Sequence, residues 1–196
     1  MTKKKKPALF AATEILTAEY EYIAQTAFQA NEDRARVTTF YLVSVGSLFG
    51  AFFGTKDTPP STTYWAFSGL FLFLSYFGVI TLKQLIQLRK AWFESAAAMN
   101  QIKDFIIEEN ENLSKVFRWK TKTLPDLYKP KSVAYLLAHQ VITLDAVIFS
   151  AMIFYMGKAL GSTTTTEFII SIIISGLGGF IFLKKQNKFY RTELSK

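Results

Sequence analysis

Asp145 is the only Asp, Glu, Lys or Arg inside the four long apolar runs of this 196-residue chain. An ionised group at the centre of a membrane span costs about 2.5 kcal/mol or more, so such a residue is held there by a specific interaction or a function. Three roles are open to it: a structural hydrogen bond, a protonated carboxyl included; a place on an ion or proton path; or a position at the lipid boundary, if its span starts later. The same depth in the other runs falls near Ser44, Ser75 and Ser175. Asp145, Ser44, Ser75 and Ser175 are therefore expected to form an intramembrane polar layer.

Enzyme chemistry has little to build on. There is one histidine and no cysteine, which leaves no thiolate metal site, no disulfide and no Cys nucleophile. His139 and Asp145 are six residues apart, about 240° around a helix, and do not share a face. Phosphate-binding and nucleophile-elbow glycine patterns are absent. Glu108, Glu109 and Glu111 read as a solvated charge run at a helix end. The chain is read as non-enzymatic, with no catalytic residue, cofactor or metal assigned.

Packing signals are more specific. Gly46, Gly50 and Gly54 form a GxxxGxxxG ridge, and Ser171, Ser175 and Gly179 a second ridge of small residues. Ridges of this kind let helix backbones approach closely where lipid offers no hydrophobic drive. They do not say whether the neighbour belongs to the same chain or to another copy.

These residues need elements to hold them. The four runs are assigned as spans 37–54, 64–82, 137–157 (continuously apolar from Val141) and 168–183, near the roughly 20 residues that cross a bilayer. Lys and Arg number 6 before the first run, 10 between the second and third, and 5 after the fourth, with one in each remaining loop, Lys56 and Lys158. By the positive-inside rule this places both termini and residues 83–136 in the cytoplasm of a multi-pass protein of the cell (inner) membrane. The lysines at 3–6 precede the apolar block by some 30 residues, so the first span is read as an uncleaved anchor. The segments are a cytoplasmic N-terminal helix at 1–36, a transmembrane hairpin at 37–82, and a cytoplasmic helix with a basic-aromatic loop at 83–136. A second transmembrane hairpin at 137–183 and a basic tail at 184–196 follow.

Leu16, Tyr20, Ile23, Ala27 and Ala30 recur at alternating spacings of four and three. Leu85, Leu88, Trp92, Ser95, Met99, Ile102 and Ile106 do the same beyond the second span. The two seams predict an antiparallel cytoplasmic hairpin extending spans 1 and 2, its distal half reaching about 35 Å from the membrane at about 1.5 Å per residue. The fold class is thus an all-α integral membrane protein of four transmembrane helices. Lys115, Arg118, Trp119, Lys120, Lys122, Lys129 and Lys131 are read as a lipid-interface segment, where cations meet anionic headgroups and rings sit at the boundary. Similar interleaving occurs in single-stranded nucleic-acid binders. With 21 of 23 basic residues on one side, anionic lipid is the more economical partner.

A basic-acidic helix ending in Asn31-Glu32-Asp33-Arg34-Ala35-Arg36, two spans joined by a tight loop, and a long amphipathic exit helix resemble the two-span SLATT modules of prokaryotic conflict systems. The likeness covers residues 8–107; the second pair of spans lies outside it, and no residue roles transfer. It implies an oligomeric membrane-perturbing effector or channel. The leading functional expectation is a homo-oligomeric, channel-like or membrane-perturbing effector gated by its cytoplasmic helices. The alternatives are a scaffold recruiting a soluble cytoplasmic partner and, further off, a small transporter or lipid-modifying enzyme.

Overall fold

The computed structural model describes residues 7–53, 60–161 and 164–195. Gly54, the lysines at 3–6 and Lys56 lie outside the described residues. Within them the chain is all-helical, with four α-helices: α1 Pro7–Phe53, α2 Ser61–Glu109, α3 Val133–Ala159 and α4 Thr165–Leu194. Short 3₁₀ turns at Glu111–Lys115 and Thr121–Thr123 interrupt the stretch between α2 and α3.

Local chemistry sets the helix ends. Ser132 caps α3 by accepting the Tyr135 amide at 3.2 Å, directly after Lys131, which adopts a left-handed φ of 64°. Thr164 and Glu167 form a reciprocal capping box at the start of α4, at 3.3 and 3.0 Å, satisfying amides that the helix leaves without partners. Asn110 stops α2 and turns its side-chain oxygen onto the Asn112 amide at 3.2 Å. The segment assigned above as a tail from residue 184 continues α4 unbroken to Leu194, and Gln186, Tyr190 and Leu194 are buried on it. Lys184 and Lys185 are exposed and leave this inward stripe intact.

The chain divides into two compact units: Met1–Asp33 with Leu88–Leu127, and Arg34–Gln87 with Tyr128–Lys196. In the first unit the seam residues lie inward. Ala27, Ala30 and Ser95 are buried and Leu16, Tyr20, Ile23, Trp92 and Ile102 half-buried, while Glu14, Glu19 and Glu21 are exposed. Leu16 and Tyr20 of α1 line one groove with Ile102 and Ile106 of α2, and Lys103 Nζ lies 5.7 Å from the centre of the Tyr20 ring.

In the second unit aromatic contacts tie the helices together. Phe40 meets Phe77 edge-on at 5.8 Å, Phe71 stacks on Tyr155 at 5.5 Å, and Phe149 stacks on Phe182 at 4.3 Å. Ser68 donates to the Met152 carbonyl at 3.2 Å, joining α2 to α3. Three helices, α2, α3 and α4, are long and apolar enough to cross a membrane. The outer face of α4 exposes Ile169, Ile170, Ile172, Ile173, Ile174, Leu177, Phe180 and Ile181. Such a continuous apolar face is a liability in water and the ordinary condition of a helix in lipid.

Candidate functional site

The inward stripe of α3 carries Ala138, Val141, Ile142, Asp145 and Ile148, all with 0% exposure. Their three- and four-residue spacing follows one helix face. Asp145 therefore occupies a core position in a row otherwise made of hydrocarbon. Its partners come from the other three helices. Gln186 of α4 donates its side-chain amide to Asp145 Oδ2. Ser75 of α2 turns its hydroxyl to the same carboxyl group. Tyr41 of α1, itself at 0% exposure, ends beside it.

Gly78 of α2 makes this convergence possible. A Cβ there would lie 2.6 Å from the Tyr41 hydroxyl and 2.7 Å from Asp145 Oδ1, so any side chain at 78 would displace both oxygens. Both groups crowd onto the glycine backbone because no side chain stands in the way. Three buried oxygens of these side chains have no hydrogen-bond partner: Tyr41 Oη and Asp145 Oδ1, which meet over Gly78, and Gln186 Oε1. Buried polar atoms are overwhelmingly paired in native proteins, and a cluster of unpaired ones calls for an explanation.

The expected polar layer is brought together only in part. Ser75 joins Asp145, whereas Ser44 donates to the Phe40 carbonyl at 2.8 Å and Ser175 to the Ile172 carbonyl at 2.9 Å, each on its own helix. Counting depth gives a level in the membrane but no azimuth, and serine has a ready backbone acceptor within its own turn. Tyr41, Gly78 and Gln186 did not emerge from the sequence reading. Gln186 carried a usable signal: it shares a seven- and four-residue rhythm with Gly179, Tyr190 and Leu194, hidden by the adjacent lysines.

The small-residue ridges also separate. A Cβ on Gly179 would lie 2.9 Å from the Ala146 carbonyl oxygen and on top of Ser150 Oγ, so α3 and α4 touch there. Gly178 is closed off by Ile153 in the same way. Ser171 is half-buried. Gly46 and Gly50 have nothing within 4 Å of a Cβ, and Gly54 lies outside the described residues.

In the basic-aromatic segment Lys115, Arg118, Lys122, Lys129 and Lys131 are exposed, as is Trp119 at 56%. Lys120 differs. Its Nζ donates to the Ser114 carbonyl at 2.7 Å and the Ser114 hydroxyl at 2.8 Å. Its own carbonyl accepts from Asn100 Nδ2 at 3.1 Å, and Thr121 N donates to Asp104 at 3.2 Å. Arg89, buried, donates through Nε to the Leu127 carbonyl at 3.1 Å and lies 4.7 Å from the Trp92 ring centre. Within the first unit this loop is bound onto α2.

Each unit also holds a recess. The first unit holds an apolar groove of about 680 Å³, to which Phe105 and Phe117 add their rings. The second unit holds a polar recess of about 340 Å³ lined by Tyr128, Tyr135, His139, Lys188 and Arg191. No group of acidic, His or Cys residues able to hold a metal ion by itself occurs among the described residues. Comparison with known protein families, with characterised proteins and with solved structures finds no match to this chain.

Proposed function

We propose that the chain is a non-enzymatic, four-span protein of the cell (inner) membrane, with both termini and residues 83–136 in the cytoplasm, acting as a homo-oligomeric, channel-like or membrane-perturbing effector gated by its cytoplasmic helices. The observation that carries this reading is the contrast among glycines. Gly78, Gly178 and Gly179 are consumed by contacts within one chain, while Gly46 and Gly50 form an open pair one turn apart on α1; Gly69 of α2 and Gly176 of α4 are also open but stand singly. An open pair of glycines one turn apart on α1 fits the close approach of a helix from another copy. The polar centre at Asp145 is sealed inside one chain, so an aqueous path would run between copies. The likeness of residues 8–107 to SLATT modules agrees with such an assembly.

Single cysteines at Gly46 or Gly50 test this, since the native chain has none. Oxidation in native membranes is expected to trap disulfide-linked dimers at these positions and not at Gly179, and liposomes holding the protein are expected to leak ions. A strictly monomeric mass in mild detergent together with no cross-linking at either position rejects the oligomer. A second reading, recruitment of a soluble partner, draws on the apolar groove between Leu16, Tyr20, Ile102 and Phe117. It predicts that Tyr20→Glu abolishes partner binding while leaving cross-linking at Gly46 intact.

A further inference from the structure

We infer that the four helices of the second unit enclose a binding site for a single alkali-metal cation, coordinated by Asp145 Oδ1, the Tyr41 hydroxyl, Gln186 Oε1 and the Ser75 hydroxyl. The site is built on the fully enclosed Asp145 and Tyr41 and on the 6%-exposed Gln186. Each of these presents an oxygen with no hydrogen-bond partner. The Asp145 carboxyl group and the Tyr41 hydroxyl meet over Gly78, with Asp145 Cγ, Tyr41 Oη and Asp145 Oδ1 at 2.5, 2.6 and 2.7 Å from where a Cβ would stand.

Charge selects the ligand. The groups holding Asp145 are an amide and a hydroxyl, both neutral. An ionised carboxylate at 0% exposure without a counter-charge is severely penalised, and a bound +1 ion removes the penalty. A divalent ion would leave a net positive charge in the same apolar surroundings, and calcium sites normally use several carboxylates. Only one carboxylate is present. Carboxylate, amide carbonyl and hydroxyl oxygens are hard donors suited to sodium, lithium or potassium and poorly suited to zinc or copper. Because Asp145, Ser75, Tyr41 and Gln186 come one from each helix, the ion would tie all four together. The site stands apart from the oligomer reading, since every donor comes from one chain.

The test is the thermal unfolding midpoint of the full chain in mild detergent, followed by tryptophan fluorescence. Choline chloride is replaced stepwise by lithium, sodium or potassium chloride at constant ionic strength. For at least one alkali ion the midpoint is expected to climb by about 3–5 °C for each tenfold rise in concentration past half-saturation. Asp145→Asn is expected to remove the response. Tyr41→Phe, which keeps the ring and deletes one donor, is expected to shift half-saturation at least about tenfold upward. Identical midpoints in choline and in all three alkali chlorides overturn the proposal, as does an undiminished response in Asp145→Asn. A midpoint that follows pH but ignores the alkali ion assigns a proton to Asp145 and overturns it equally.

Discussion

Replacing Gly179 with alanine tests the α3–α4 contact with an internal control on the same helix. The new methyl would stand 2.9 Å from the Ala146 carbonyl oxygen, where ordinary contact begins near 3.4 Å, and would coincide with Ser150 Oγ. Ser150 must rotate away and lose its 3.0 Å bond to the Ala146 carbonyl. The carbonyl belongs to the α3 backbone, so the helices must also separate by about half an ångström. That separation loosens the Phe149–Phe182 stack and the Gln186–Asp145 hydrogen bond, which span the same interface. Overpacking of this kind costs about 1–3 kcal/mol, offset by about 0.5–1 kcal/mol from replacing a mid-helix glycine. The net expectation is a loss of about 1–2 kcal/mol. Gly176→Ala, three residues earlier with nothing within 4 Å of its Cβ, receives the helix gain alone and should be stabilised by about 0.5–1 kcal/mol. Unfolding by SDS titration in mixed micelles measures both variants against the wild type. Equal stability of the two variants would refute the close approach of α3 and α4 at Gly179.

Two further outcomes can be measured on purified protein. Asp145→Asn retains an acceptor for the Gln186 amide and should unfold within about 0.5 kcal/mol of wild type without added alkali ions, whereas Asp145→Leu leaves Gln186 and Ser75 without their acceptor and should lose about 1–3 kcal/mol. A leucine variant as stable as wild type in the same titration contradicts the buried contact. Arg89→Ala removes the bond to Leu127 and the stacking on Trp92; a local loss of about 1.4 kcal/mol raises opening of the loop about tenfold. Trypsin cleavage after Arg118, Lys120 or Lys122 should accelerate by that factor, and an unchanged rate rules out Arg89 as the fastening.

The seams of the first unit were legible because burial of a helix face imposes a three-to-four spacing that sequence preserves. Leu16, Tyr20 and Ile102 turn inward as that spacing requires. The length of α4 was hidden for a related reason. Lys184, Lys185 and Lys188 look like a tail, yet they occupy the exposed side of a helix whose other side keeps Gln186 and Tyr190 buried. The binding of Lys120 onto Ser114 and of Asn100 onto Lys120 left no mark, since loop contacts carry no period.

The sequence alone determined that the chain is helical, where the long apolar segments lie, and that Asp145 is the single acidic residue among them. Those properties are sums over neighbours along the chain, and hydropathy and spacing record them directly. Only the tertiary structure decided which groups Asp145 meets. Its neighbours lie 104, 70 and 41 residues away at Tyr41, Ser75 and Gln186, and the choice among polar groups at similar depth depends on how each helix is rotated about its axis. Gly78 and Gly179 were settled in the same way as sites of close approach and Gly46 and Gly50 as open ones, because a glycine's role depends on what stands opposite it across a helix interface.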